Sequence, residues 1–576
     1  MANAAGKETQ HGLLVVWGRF AQEIGLINGI NAVKLAQKTY DHSPQAKALE
    51  FLVAVLSGAK HLQDISLAAH PLDKDLVLAQ AWGQTGWADY SGVSRTLSGL
   101  SWEEVRALVR VLEQVSQPFF DQELALIRQQ GQALWQDGDL TGIPVSNTSQ
   151  TYPNAAYGHM DDEIRLGYQA GVTSLRSPTY GRLWLSVEHH AGDTVSCTQA
   201  EALVLAAEQR TGLSPRRRTE LLQTRIEAFQ IERQPTEKRY EIQKTALEKA
   251  RIARQETLTQ LQSAQVAAGT RPERIASLEK RIVRRDQALA TAQQRLAKTL
   301  RLLQAHLDQE KFLQARLNRF EQENATNPNP VEIRFRIDAG FGTYDNIALL
   351  IEMGYEVVTK VHNHKVVQAL HKLVQPDTVW TRVGKNAEMV AWPALKLDRC
   401  PYPLQVALER FHTGDKKLKH SALAYFGKAP MTQDLPVWFT TYNGRQTIEA
   451  GIKESKQVFH LHRPKVRSEP AIFLQEAMTI FAANFIRWAA VWIAHHSEPA
   501  PDQLPISKMG IKRQVQVAAH ASAQVIQNAD GMLLRFSSAS SLAGKSLHFR
   551  SVDRPVRQEH FWPFFTILDL IVQKLR

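Results

Sequence analysis

The sequence predicts an α/β protein built from an all-α N-terminal domain, a mixed-sheet core with helices, and an antiparallel coiled-coil hairpin inserted into that core. Three observations carry this reading. Apolar residues recur at helical spacing through residues 12–130. Residues 331–361 read as strand, glycine-flanked turn, helix and strand. Between about 199 and 323 the chain is highly charged, and Ile275, Ile282, Leu289, Leu296 and Leu303 repeat every seven residues.

Taken in order, Leu49, Leu52, Val53 and Leu56, then Leu62, Ile65 and Leu67, form helical stripes around Gly58. Residues 91–97 sit between two helical stretches, the second opened by the capping pattern Ser101-Trp102-Glu103-Glu104. Ser94, Arg95 and Thr96 would stand near the start of a recognition helix if this domain binds DNA; a plain helical packing domain is the other reading. Residues 133–145 read as a strand with Asp137, Asp139 and Thr141 on one face. Acids are unfavourable in strands unless the position needs them, as a metal site does; an Asp-Gly-Asp surface turn is the alternative. Residues 165–169 and 181–187 fit a meander with a turn near residues 191–193.

In the hairpin, residues 237–266 form one arm, 267–272 the turn and 273–323 the second arm, whose ~50 residues would span roughly 75 Å. Over residues 231–320 there are 19 basic and 10 acidic residues, a surface able to track a phosphate backbone. Dimerisation or a spacer role is the competing use. Residues 324–330 break the helix. In the strand that follows, Ile333, Phe335 and Ile337 take one face and Arg334, Arg336 and Asp338 the other. An acid at a strand's C-terminal end, before a turn and a helix, is a favoured active-site position in α/β sheets. Residues 437–442, aromatic and β-branched, read as a buried strand. Asn443 and Gln446 resemble a capping box opening a helix at about Gly444. On that helix Arg445, Glu449 and Lys456 fall within about a 40° arc, and Glu454 points the opposite way. Cations favour the charged form of a neighbouring carboxylate, which is the form a metal needs. Residues 477–493 are the most hydrophobic run, yet contain Asn484 and Arg487, and so read as a buried helix rather than a membrane span. Phe473, Met478, Phe481, Phe485 and Trp488 should pack it on the sheet. Residues 531–536 read as a strand.

At 576 residues the chain exceeds a single core and implies about two to four domains. Lys+Arg of 69 against Asp+Glu of 57 gives +12, which favours a polyanionic partner. Two cysteines, Cys197 and Cys400, exclude a disulfide framework or a cysteine-rich zinc site and suit a reducing cytosol. The polar first ten residues lack a secretory core. His189, His190, His362 and His364 lack matching partners for zinc and read as ordinary histidines.

Tyr442, Arg445, Glu449 and Lys456 follow the spacing Tyr, two residues, Arg, three residues, Glu, six residues, Lys. This resembles the signature of bacterial insertion-sequence transposases with a DDE active site, and the likeness covers roughly 130–195 and 331–495. The resemblance implies a ribonuclease-H-like catalytic domain in which Glu449 is the third metal-binding carboxylate, while Tyr442, Arg445 and Lys456 contact transposon-end DNA. It further implies that Asp139, followed closely by Thr141, is the first catalytic acid, with Asp137 in reserve, and Asp338 the second. Asp139, Asp338 and Glu449 would then hold two Mg²⁺ (or Mn²⁺) ions, because oxygen-only ligands select these over zinc. The partners implied are double-stranded DNA, both terminal inverted repeats and target, and a second copy in a homodimer. No membrane is implied, and the location is the bacterial cytoplasm, in association with the nucleoid. In the related hairpin-forming transposases a β-rich insertion supplies an aromatic that stacks on a flipped base. Trp380 and Trp392 are the candidates here, core packing being their other duty, and Lys416, Lys417 and Lys419 would add phosphate contacts.

The domain plan is therefore 1–130 (helical, a candidate DNA-binding domain), 131–200 (first part of the catalytic domain), 201–327 (the inserted hairpin), 328–362 (second part), 363–436 (an insertion with short β pieces), 437–500 (third part) and 501–576 (C-terminal, a candidate dimerisation segment). The alternatives are another ribonuclease-H-like nuclease such as a resolvase, which would not need the Tyr/Arg/Lys set, and a non-catalytic coiled-coil DNA-binding protein derived from a transposase.

Overall fold

A computed structural model describes residues 6–37, 41–147, 152–160, 163–397, 399–412, 417–528 and 531–550. The protein is mixed α/β with a mixed sheet and many helices. β1 (Lys7–Thr9) precedes the N-terminal helices. β2 (Leu134–Pro144), β3 (Ala156–Met160), β4 (Glu163–Ser177) and β5 (Gly181–Ala191) follow them. After two long helices come β6 (Ile333–Ile337) and β7 (Glu356–Lys360), then β8 (Thr381–Arg382), β9 (Ala387–Leu395), β10 (Leu404–His412) and β11 (Leu418–Phe426). β12 (Ala523–Asn528), β13 (Gly531–Phe536) and β14 (Ser546–Arg550) come last among the described residues. The chain divides into two compact units, one of residues 1–130, 138–194 and 446–576, the other of 131–137 and 195–445.

In the first unit, β4 is paired antiparallel with β3 and with β5 and lies beside β2, and β1, β12, β13 and β14 form a separate antiparallel sheet. Its core is the helix Glu469–His496. That helix is long and apolar enough to cross a membrane, but 78% of its most apolar window is buried inside the protein, as the sequence predicts. Phe473 meets His189 of β5 at 6.5 Å, as expected, while two other rings face the N-terminal helices. Trp488 stacks on Phe119 at 4.4 Å, and Phe485 meets Phe20 at 5.1 Å, so these rings fill the space between the core helix and the N-terminal helices. The contact with the sheet centres on a polar residue. Asn484 accepts from the Trp184 backbone N–H (2.9 Å) and donates to its carbonyl (2.8 Å), so a buried side-chain amide satisfies two backbone groups of β5. The N-terminal helix Trp102–Gln129 opens with the full capping box of Ser101 and Glu104.

In the second unit, the first residues of β2 run parallel to β6, and β6 runs parallel to β7. β11, β10, β9 and β8 then follow antiparallel. The segment after residue 363 holds the helix His364–Leu373, the short β8 and three strands of nine residues each. The run 437–442 is not a strand: it lies in the helix Leu435–Asn443. Asp434 caps it by accepting from the Val437 N–H at 3.0 Å, and Pro436 suits the first turn. Leu435, Trp438, Phe439 and Tyr442 recur at helical period and pack on the cluster around Met431 and Tyr425, so tertiary packing overrides β propensity.

The hairpin is two long helices, Thr219–Val266 and Pro272–Thr326. Ion pairs Arg233–Glu310 and Arg254–Asp286 fix them antiparallel. Buried or half-buried positions recur in alternating steps of four and three residues from Leu222 to Ala264, and of three and four from Ile275 to Phe320. The first helix starts well before residue 237 and runs through Pro235. A mid-helix proline costs about 3 kcal/mol, which the packing on both sides of it offsets. The root is held by buried charge: Glu352, fully buried, accepts from Arg225 (2.5 Å), Arg316 (2.9 Å) and the Tyr402 hydroxyl (3.0 Å).

Asn484→Leu keeps the volume of the side chain but leaves the Trp184 N–H and carbonyl unmet. A loss of roughly 2–5 kcal/mol is expected, visible as a lower thermal midpoint by scanning fluorimetry. An unchanged midpoint would mean that these hydrogen bonds do not hold the core helix to β5.

Candidate functional site

Arg336 lies mid-strand on β6 between Phe335 and Ile337, and only 1% of its side chain is exposed. A charge so buried needs a partner, and Asp137 on β2 supplies one. Arg336 Nε donates to Asp137 Oδ1 at 2.6 Å and Nη2 to Oδ2 at 2.8 Å, a bidentate fork. The third arm of the guanidinium, Nη1, donates to the Thr441 carbonyl at 3.0 Å. Trp135 caps the group, its ring centre 5.0 Å away. A Cβ on Gly444 would lie 2.2 Å from Arg336 Nη1, so any side chain here would have to displace the guanidinium from its partners. The reserve candidate Asp137 thus has a structural duty.

Asp338 follows β6 directly. One carboxylate oxygen accepts from the Phe341 N–H at 3.2 Å, and the other lies 3.9 Å from Arg445 Nη2. Its side chain is 36% exposed, that of Arg445 only 7%. The turn is tight, since a Cβ on Gly342 would meet the Lys360 carbonyl at 2.0 Å. Tyr442 carries the Lys360 ammonium 5.2 Å above its ring. The second unit therefore brings Asp338 and Arg445 together. Arg445 precedes the helix Gln446–Val458 rather than lying on it, and Asn443 ends the preceding helix.

In the first unit, Asp139 lies on β2, half-buried, one oxygen accepting from the Leu140 N–H at 2.9 Å. In the second unit Asp137 and Arg336 are register partners on the parallel strands β2 and β6. Glu449 is exposed in the first turn of its helix and Lys456 is half-buried near the end. Glu454 takes the opposite side, as predicted. It accepts from Arg182 at 3.1 Å and Arg487 at 2.9 Å, and Arg182 also donates to the Thr447 carbonyl. A Cβ on Gly451 would meet the Arg182 guanidinium at 2.3 Å. Arg182, Gly451 and Glu454 therefore fix the phase of this helix, a role the sequence reading missed. The signal was present: an arginine inside a strand with Leu183, Trp184 and Leu185 demands a buried anion.

Among the described residues, no group of three His, Cys, Asp or Glu is arranged to hold a metal. The donor chemistry of Asp139, Asp338 and Glu449 is carboxylate only, which suits Mg²⁺ or Mn²⁺. Three of the four candidate histidines have other neighbours. His189 Nδ1 lies 2.8 Å from Glu476 and its Nε2 3.8 Å from Glu469, with the Tyr168 ring 4.6 Å away. His190 lies 3.8 Å from Glu188, and His362 Nδ1 is 3.1 Å from the Ala339 carbonyl. Trp380, half-buried, carries the Arg410 guanidinium 4.1 Å from its ring centre. Trp392 is half-buried on β9. In the N-terminal segment Thr96 is buried, Ser94 half-buried and Arg95 exposed. Lys416 lies outside the described residues, as does the C-terminal segment beyond residue 550.

Asp137→Ala should destabilise the protein by about 3–5 kcal/mol, because it strands a buried guanidinium. Thermal unfolding checks this. An unchanged midpoint with lost divalent-ion binding would make Asp137 a metal ligand instead. A second expectation concerns pH. Burial alone would lower the His189 pKa, but the Glu476 carboxylate outweighs it and the pKa is raised above 6.5. Burial also raises that of Glu476 above 4.5, against the pull of His189. The folded protein thus holds protons more tightly than the unfolded chain. For His189 this stability is full below about pH 6.5 and is lost as pH climbs through the raised value. Midpoints measured from pH 6 to 9 should fall in the native protein and fall less in His189→Gln; parallel curves would remove His189 from the account.

Compared with models of known protein families the chain matches none, and a search of curated proteins finds no match. What the site does must be read from its own residues.

Proposed function

We propose that the chain is a DNA transposase of the DDE class, which cleaves the ends of its element and joins the freed 3′-hydroxyls to target DNA. The observation that carries this is the acid at the C-terminal end of β6, Asp338, set before a tight turn and a helix. The four-position spacing of Tyr442, Arg445, Glu449 and Lys456 supports the same reading. So does the contact of Arg445 with Asp338 at 3.9 Å, which sets a phosphate-binding fork beside a carboxylate.

On this reading the α/β core is ribonuclease-H-like, the hairpin is a coiled coil, and the domains fall as the sequence plan divides them. Asp139, Asp338 and Glu449 would hold two Mg²⁺ or Mn²⁺ ions, which would supply charge neutralisation for phosphoryl transfer. In each transfer an oxygen of water or of a 3′-hydroxyl forms the new bond to phosphorus. The bond to the opposite oxygen breaks, and the nucleophile's proton leaves to solvent. Arg445 steadies a non-bridging phosphate oxygen, and Tyr442 and Lys456 grip the flanking backbone. Asp137 and Arg336 position without touching DNA. The protein works as a homodimer on double-stranded DNA in a bacterial cytoplasm.

The test is Mg²⁺- or Mn²⁺-dependent cleavage of the element's terminal repeats, read from DNA flanking the gene. The native protein should cut at the repeat boundary. Glu449→Gln, Asp338→Asn and Asp139→Asn should each lose at least about 10²–10³-fold in rate while still binding DNA. Binding without cleavage by any form would favour a non-catalytic DNA-binding protein. Cleavage of branched DNA but not of repeat ends would favour a resolvase.

A further inference from the structure

The two long helices of the hairpin have electrically different sides. On one side the second helix presents Arg274, Arg281, Arg284, Arg295 and Lys298, all exposed. The first helix adds Arg239 and Lys249 on the same side, with Glu256 as the acid among them. The groove between the helices, lined by Ile242 and Ala246 from the first and by Arg284, Ala288, Thr291 and Arg295 from the second, fixes this side, and the remaining cations stand seven or fourteen residues from its lining residues, on the same side of a heptad-spaced pair. The opposite side carries Glu237, Glu241, Glu248, Glu279 and Asp286 with Lys244 and Arg251. There Arg251 is answered locally, 3.8 Å from Glu248. Asp286, on that side, takes Arg254 from the seam. Among the described residues, none of the seven cations on the basic side is ion-paired.

We propose that this basic side of the hairpin is a sequence-independent docking surface for the phosphate backbone of duplex DNA. Charge complementarity selects the occupant. Unpaired guanidinium groups repel one another unless an anion lies among them, and a row of them gains by releasing counterions from DNA. Length agrees: Arg274 to Lys298 spans about 36 Å at 1.5 Å per residue, roughly one turn of duplex. The floor of the groove is small, Ala246, Ala288 and Thr291, so a backbone can approach while Arg284 and Arg295 reach it from the rim. The surface is also held in place. Arg217 pairs with Glu208 and Glu323 (2.6 Å each), and Glu352 joins Arg225 to Arg316, so both helices are clamped at the root. The proposal deepens the transposase reading and takes from it only that the polyanion is DNA.

The test uses the full chain and a fluorescein-labelled random-sequence duplex of about four helical turns, followed by anisotropy across a NaCl titration. Replacing Arg281, Arg284, Arg295 and Lys298 by Gln should flatten the slope of log K against log salt by about 3–4 and weaken low-salt binding at least tenfold, at roughly 0.9 for each phosphate no longer neutralised. Arg295→Gln with Lys298→Gln alone should give about half that change at an unaltered thermal midpoint. Lys244→Gln with Arg251→Gln, on the opposite side, should change nothing. Equal slopes in the native and fourfold variants would overturn the proposal. So would a fall in assembly state by sedimentation with the slope unchanged, since the face would then be a contact between copies. Cleavage is scored separately with Glu449→Gln: a flattened slope without repeat-end cleavage upholds the docking surface and sinks the transposase reading, and cleavage with equal slopes does the reverse.

Discussion

The buried fork between Arg336 and Asp137 constrains everything around the candidate site. Two side chains, each 1% exposed, carry full charges inside a sheet. Such a pair adds little net stability compared with an apolar one, but stranding either partner is expensive. The consequence is specificity of register. A slip of one residue between β2 and β6 would turn Asp137 away from Arg336 and leave both charges unanswered. The same guanidinium holds the Thr441 carbonyl and crowds Gly444, so the approach to Arg445 is set by the pair that sets the strands.

This solution recurs. At the hairpin root Glu352 is shared by Arg225, Arg316 and Tyr402. Under the helix Gln446–Val458, Glu454 is shared by Arg182 and Arg487. Apolar clusters such as Phe119 on Trp488 bury area and supply the energy. The charged nodes decide orientation, because a guanidinium fork is satisfied in few geometries. A hairpin of two long helices needs that more than a compact element does, since a small rotation at its root becomes a large displacement at its tip.

Much of this was legible in the sequence, where one period or one cap decides the outcome. The β6 alternation, the Ser101–Glu104 box, the strand Gly531–Phe536 and the burial of the core helix follow from local rules. What was not legible depends on distant partners. Arg336 meets Asp137 across 199 positions, and Asn484 meets Trp184 across 300, and no window contains both. The run 437–442 failed differently: its β-branched and aromatic composition spoke for a strand, while the period of Leu435, Trp438, Phe439 and Tyr442 spoke for a helix. The cap at Asp434 and the proline at 436 should have settled it. At the candidate site the acids were visible as residue types in telling places, but the duty of Asp137 was not, because an acid that binds an arginine and an acid that binds a metal look alike in sequence.

The helix Gln446–Val458 shows how such a distinction is made physically. It carries two acids five residues apart, about 140° apart around the axis. Gly451 lets the Arg182 guanidinium lie against the backbone, and Glu454 closes on it from the next turn. That contact leaves the helix one rotational setting. In it Glu454 spends its charge on two arginines inside the protein, while Glu449 stands exposed in the first turn, where the helix dipole favours an anion. An anchored carboxylate and an exposed one on the same helix are therefore not interchangeable: the first makes the position of the second reproducible.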